Sequence, residues 1–278
     1  MQIGIVTDST SDISPELVKA YDIQVIPAIL VVNGKTMQDG PDISRNEIYR
    51  DLPTMKESPT TAAPAIGSFQ RVYESLLKNG IDQVISIHVS STLSSMYNNA
   101  VVAAKAIGKQ VHVIDSRQVT LGSGFQVLAA AQAARAGLTI SEIQNAIIDL
   151  RKRVHLVAML DTLEYAYRSG RISWARSSVA SILQIKPFVG VVDGSVLRLG
   201  ETRTRQKGIE RLYKMLNDLG PLDQLAVLHT NAEADALRLM EYFKSAVSNN
   251  PLVVNVTTLI GVHVGPNGLG FVAVTTQH

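Results

Sequence analysis

Short apolar runs alternate with stretches of helical periodicity along most of this chain. Residues 2–7 read as a strand that ends in Asp8-Ser9-Thr10-Ser11-Asp12, with Ser11 or Asp12 placed to cap a helix starting near Ser14-Pro15. Residues 23–32 are β-rich, and Asn33-Gly34 signals a two-residue hairpin returning through 35–37. A short helix is predicted over 45–52 behind an Asp42/Ser44 cap. The stretch 58–64 is bracketed by Pro59 and Pro64 and is expected to be a loop. Next come a helix over 66–78 that stops at Asn79-Gly80, a strand over 84–88, and a helix over 93–107 that stops at Gly108. A strand over 111–114 and a long helical region to Ala136-Gly137 follow. Strands alternating with helices imply a parallel sheet, in which ligands bind beyond the strand C-termini.

The pattern changes in the second half. A helix over 141–153 and a strand over 156–160 lead into the polar segment 162–172. Residues 188–192 and 196–199 then read as a hairpin turning at Asp193-Gly194. Helices over 207–219 and 232–245 and strands over 224–228, 253–258 and 270–275 complete this half. The chain is therefore expected to be α/β with two α/β domains, at 1–157 and 158–278. The first should carry a mainly parallel sheet flanked by helices and the second a mixed sheet; a length of 278 residues suits such a division. Neither an internal repeat nor a low-complexity segment is evident.

Composition narrows the function classes. Apolar residues make up 46% and charged residues 18%, enough for ordinary cores. Lysine and arginine number 26 against 24 acidic residues, with no basic run interleaved with aromatics, so a nucleic-acid partner is not expected. The absence of cysteine excludes disulfides and thiolate metal sites. Met1 to Asp8 lacks the basic head and apolar core of a signal peptide, and no apolar run approaches the roughly 20 residues of a membrane span. The expectation is a cytoplasmic protein with no stable membrane insertion.

Candidate chemistry concentrates in residues 88–100, His-Val-Ser-Ser-Thr-Leu-Ser-Ser-Met-Tyr-Asn-Asn-Ala. An apolar run leads into Ser90, Ser91, Thr92, Ser94 and Ser95 and then into a helix. Such a junction can aim backbone N–H groups and the positive end of a helix dipole at an anion, although serines there often serve only as caps. Asp8 to Asp12, Thr60-Thr61 and the glycine-rich stretch 260–268 around His263 are the other polar turns. That last stretch is expected to be a loop whose backbone approaches something closely. No G-x-x-x-x-G-K-[ST], no G-x-G-x-x-G after the first strand, no G-x-S-x-G and no metal-ligand spacing of histidines occurs. Hydroxyls, amides, a histidine and Arg171 suit binding of a carboxylate or phosphate better than bond cleavage.

Taken in order, these residues resemble the DegV family of bacterial fatty-acid-binding proteins. The likeness runs through Val6 to Asp12, Asp39-Gly40, Tyr49, Thr61 with Pro64, Ser90 to Ser94 and Tyr97-Asn98. It continues through Asp115-Ser116, Leu163-Glu164, Ser169 to Ile172, Lys186-Pro187 and Ile260 to Pro266. The resemblance implies a long-chain fatty acid held between two α/β domains, tail in a buried tunnel and carboxylate in a polar cluster. It makes Thr61 and Ser94 the direct carboxylate donors, adds backbone N–H groups around Ser94 and Ser95, places His263 in the same network and sets Arg171 near the head group, partner-facing. The fatty acid is then a ligand with no further cofactor, and the chain is not itself an enzyme. It would present the carboxylate to a fatty acid kinase that makes an acyl phosphate. Relatives usually carry Thr-Ser-Gln-Pro where this chain has Thr61-Ala62-Ala63-Pro64, and commonly glycine where it has Ser95. Each buried methylene contributes about 0.8 kcal/mol against about 1 kcal/mol for a neutral hydrogen bond, so the tail should set affinity and the hydroxyls orientation. The alternatives are a hydrolase or phosphotransferase using Ser94 with His263, and a lipid-sensing regulator without transfer to a kinase.

Overall fold

Four short strands build the sheet of the first unit: β1 (Ile3–Asp8), β2 (Gln24–Ile26), β6 (Gln83–His88) and β7 (Val111–Asp115). They lie in the order β2-β1-β6-β7, and every pairing is parallel. β1 and β6 are central and buried on both faces, which is why their sequences are nearly continuous apolar runs. Helices α1 (Pro15–Tyr21), α3 (Ile66–Lys78), α4 (Met96–Ile107), α5 (Leu121–Arg135) and α6 (Ile140–Lys152) cover the sheet. Ser14, rather than Ser11 or Asp12, caps α1, because its side chain accepts from Leu17 N while Asp12 turns left-handed at the end of a 3-10 turn, Ser9–Ser11. α5 is buried almost all round from Leu121 to Leu128 and so shows no apolar stripe.

The computed structural model describes residues 1–170 and 185–277. The chain divides into two compact units. The first comprises Met1–Ile29, Thr61–Lys152 and Asp193–Ser195; the second comprises Leu30–Thr60, Arg153–Val192 and Val196–His278. A cut at 157/158 falls inside β8 (Val154–Met159), a strand of the second unit. The chain also leaves the first unit at Leu30 and returns at Thr61, an excursion that local sequence pattern does not reveal.

The second unit is built on a mixed six-stranded sheet. Its order is β10 (Ser195–Thr202), β9 (Lys186–Val192), β8, β13 (Leu269–Thr275), β11 (Leu222–His229), β12 (Leu252–Asn255). β11 and β12 are parallel; β8–β9, β8–β13 and β11–β13 are antiparallel. The β9–β10 turn places Asp193 and Gly194 at φ of 47° and 85°, the conformation that an Asp-Gly hairpin needs. Helices α8 (Arg205–Asn217) and α9 (Glu233–Phe243) bury Leu212, Leu216, Leu239 and Phe243 against Val227, Phe271 and Phe188.

Two loop expectations are corrected. Residues 58–64 contain a three-residue strand, β5 (Thr60–Ala62), at the edge of a small sheet ordered β4 (Lys35–Gln38), β3 (Ile29–Val32), β5; the flanking prolines exclude a central strand but not an edge. The glycine-rich stretch is largely helical, as α10 (Thr258–Val264), and His263 lies in its last turn. Its glycines are needed for packing: a Cβ on Gly261 would overlap the Tyr49 phenol, and one on Gly265, at φ +79°, would overlap the Tyr165 ring. Tyr49 belongs to α2 (Arg45–Asp51) and Tyr165 to α7 (Glu164–Ser169).

The packing of α5 on the Ser9–Ser11 turn is close enough to be tested by a single methyl group. A Cβ on Gly124 would fall well inside contact distance of the Ser11 carbonyl oxygen, a backbone atom that cannot rotate away. Gly124→Ala should cost about 1–3 kcal/mol, seen as a lower urea midpoint with unchanged slope. An unshifted midpoint would mean that α5 does not sit this close.

Candidate functional site

The turn between β6 and α4 carries the five hydroxyls, and its hydrogen bonds sort them. Ser90 Oγ and Thr92 Oγ1 both donate to the Gly194 carbonyl, the first at 2.9 Å, within the unit that includes residues 193–195. Ser91 Oγ donates to Asp115 Oδ2 at 2.6 Å. Ser94 Oγ accepts from Met96 N at 3.3 Å, and accepting leaves its own O–H proton to be given elsewhere. Ser95 is exposed and provides no side-chain cap for α4.

The amides of residues 91–94 are already engaged within the turn. Ser91 N bonds to the Asp115 carboxylate at 3.3 Å and Thr92 N to Ser90 Oγ at 3.3 Å. Leu93 N and Ser94 N bond to the Ser90 carbonyl at 3.0 and 3.1 Å. These four amides are therefore satisfied before any anion arrives. Thr61 lies partly buried on β5, and Asn99 of α4 donates to the Pro64 carbonyl at 2.9 Å, tying the Thr61 segment to the helix that follows Ser94 and Ser95. His263 belongs to the second unit, on α10, and is partly buried. Arg171 lies outside the described residues.

Beneath the turn lies a buried relay that the hydropathy pattern does not announce. Asp8 Oδ2 meets His88 Nδ1 at 2.9 Å, His88 Nε2 meets Ser86 Oγ at 2.7 Å, and Tyr73 OH donates to Ser86 Oγ at 2.9 Å. With Tyr73 donating, the Ser86 proton goes to Nε2 and the Nδ1–H to Asp8. Burial pushes the Tyr73 phenol up to about 12, outweighing the opposing hydrogen bond to Ser86, so Tyr73 remains a donor at neutral pH. Asp8 also accepts from Val89 N at 3.2 Å, Thr10 N at 3.1 Å and Thr10 Oγ1. One sequence signal does exist: Ser86 and His88 are polar residues two apart in an otherwise apolar strand, and so share one face.

Serine, histidine and aspartate in this order have the reach of a nucleophilic triad. All four side chains, however, are completely buried, and Ser86 already accepts the Tyr73 proton. A nucleophile must be reached by its substrate, so the relay reads as a pin joining the C-terminal ends of β1 and β6. Among the described residues no group of three or more His, Cys, Asp or Glu is placed to hold a metal ion, and no helix is long and apolar enough to cross a membrane.

A family model described as "Uncharacterised protein, DegV family" matches residues 2–276. The chain belongs to the DegV family. A DegV domain-containing protein of Caldanaerobacter subterraneus subsp. tengcongensis is 34% identical over 97% of both chains. Protein DegV of Bacillus subtilis is 31% identical over 97% of this chain and 98% of its own. Among solved structures, a DegV family protein from Thermus thermophilus, described by its fatty acid binding, superposes with a TM-score of 0.92. It is 29% identical and covers 99% of this chain and 100% of that one. DegV of Bacillus subtilis, described as a fatty acid binding protein, gives 0.87 at 29% identity, with the same coverage. The DegV likeness thus extends over both units, and the α/β fold with a parallel and a mixed sheet is that of the family.

Removing the imidazole from the relay leaves the Asp8 carboxylate and the Ser86 hydroxyl short of a buried partner. His88→Leu should therefore cost about 1–3 kcal/mol for each buried group left unsatisfied, read as a loss of urea stability. A change below about 1 kcal/mol would show that the relay does not hold the strand ends.

Proposed function

We propose that this chain binds a long-chain fatty acid as a non-catalytic carrier and holds its carboxylate through the hydroxyls of Thr61 and Ser94. The observation that carries this reading is the state of Ser94. Its neighbours Ser90, Ser91 and Thr92 give their protons to acceptors within the protein, whereas Ser94 accepts a backbone bond and keeps a proton to donate. The fatty acid binding described for the Thermus thermophilus and Bacillus subtilis relatives supports the choice of ligand. His263 is carried over as a member of the head-group network, Ser95 as a neighbour of the donor, and Arg171 as a group facing a partner.

The engaged amides of the turn bear on selectivity. With the amides of residues 91–94 engaged, a carboxylate is recognised by hydroxyls together with the backbone N–H groups around Ser95, and a chain lacking an acidic head leaves those donors unpaired at a cost greater than the pairing gains. The apolar tail supplies most of the affinity. A fatty acid kinase would then receive the exposed acid and carry out the phosphoryl chemistry, for which this chain has no phosphate loop.

Displacement of a fluorescent fatty acid tests the reading. Oleate should displace it and methyl oleate should not. Ser94→Ala should weaken oleate by roughly tenfold to a hundredfold, the loss of one hydrogen bond to a charged group. Equal affinity of the two ligands, or of the two proteins, would place the head group elsewhere.

A further inference from the structure

Helix α10, which carries His263, is only seven residues long, too short to fix its own position by internal hydrogen bonds. Its place is set by partners at both ends, all within the second unit. At the start, Asp39, 5% exposed, accepts from Thr258 Oγ1 at 2.6 Å and from Thr257 Oγ1; both threonines are completely buried. Tyr49 OH, likewise buried, donates to the Val256 carbonyl at 2.7 Å and the Thr257 carbonyl at 3.3 Å, and its ring fills the space left by Gly261. Arg45 donates to the Asn255 carbonyl, and Asn255 Nδ2 donates to Asn46 Oδ1 at 3.1 Å. At the far end Thr230 Oγ1 donates to the Gly265 carbonyl at 2.7 Å and accepts from Gly268 N at 2.7 Å.

Asp39, Arg45, Asn46 and Tyr49 all come from the excursion Leu30–Thr60, whose chain neighbours on both sides belong to the other unit. The excursion is not needed to complete the six-stranded sheet, since none of its strands belongs to it. Four of its polar side chains, of which Asp39 and Tyr49 are buried, instead converge on residues 255–258. We propose that Asp39 and Tyr49 are positioning residues that set the orientation of α10 and, through it, of the His263 imidazole.

The carboxylate is the more discriminating of the two. Two hydroxyls converge on its two oxygens, so Asp39 fixes the rotation of the first turn as well as its height. An amide in its place offers one oxygen and forces one threonine to reverse its bond. The functional consequence, an effect on ligand binding, rests on the reading of His263 as part of the head-group network; the effect on the ring itself does not.

Histidine-selective isotope labelling reads the ring directly, because the chain has six histidines that serve as controls for one another. Asp39→Asn should shift the ring resonances of His263 while those of His88, His112 and His155 remain unchanged, and oleate affinity should fall roughly tenfold. Unmoved His263 resonances in a folded Asp39→Asn protein would overturn the proposal, as would a shift of all the histidines together, which would mark general loosening. If Asp39→Asn fails to fold, Thr258→Val removes a single hydroxyl, and the same selective shift is expected, with an unmoved His263 again overturning the claim. His263→Ala is measured alongside. Normal oleate binding by that variant would sink the head-group role of His263 while the selective shift in Asp39→Asn still established the clamp.

Discussion

The first unit depends on how one buried carboxylate is satisfied. Asp8 ends β1 and accepts from two groups of its own turn, Thr10 N and Thr10 Oγ1, and from two at the end of β6, His88 Nδ1 and Val89 N. A carboxylate taken out of water is tolerated only when such donors surround it. Satisfying it forces the ends of two adjacent parallel strands to a common height. The residue after Val89 is Ser90, whose carbonyl and hydroxyl organise the turn as far as Ser94. Position therefore passes from Asp8 through a single amide into the hydroxyl cluster, while Ser86 and Tyr73 hold the imidazole from behind.

The second unit meets a similar demand with other residues. Asp39 collects two threonine hydroxyls as Asp8 collects its four donors, and in each case the carboxylate lies beside a short element unable to hold itself: the turn after β6 in one, α10 in the other. Both aspartates lie in segments shared with the DegV resemblance, yet both are buried and spend their oxygens on donors of the protein itself. A family motif can thus mark the supports of a site as readily as its contacts.

How much of this is legible in the sequence follows from which signals are local. The helix over 66–78 matches α3, and the hairpin at Asp193-Gly194 matches β9–β10, because a capping glycine or a left-handed turn announces itself within a few residues. The helix α10 does not, since Gly261 and Gly265 look like loop residues until Tyr49 and Tyr165, distant in sequence, are placed against them. β5 is too short to show alternation, and the excursion Leu30–Thr60 joins the second unit through hydrogen bonds to Val256 and Thr258, far along the chain. Within the site, the serine cluster is plain. Which serine keeps a proton is not, because the answer lies with Asp115 and Gly194. The Asp8–His88–Ser86–Tyr73 relay stays hidden inside what reads as an apolar run.

Carriage of a fatty acid is the central claim, and its most direct test is extraction of the purified protein into organic solvent followed by mass spectrometry. The account predicts a near-stoichiometric long-chain acid that co-purifies or, from delipidated protein, is taken up on addition. Protein that yields no such acid and takes up none when it is supplied would contradict it.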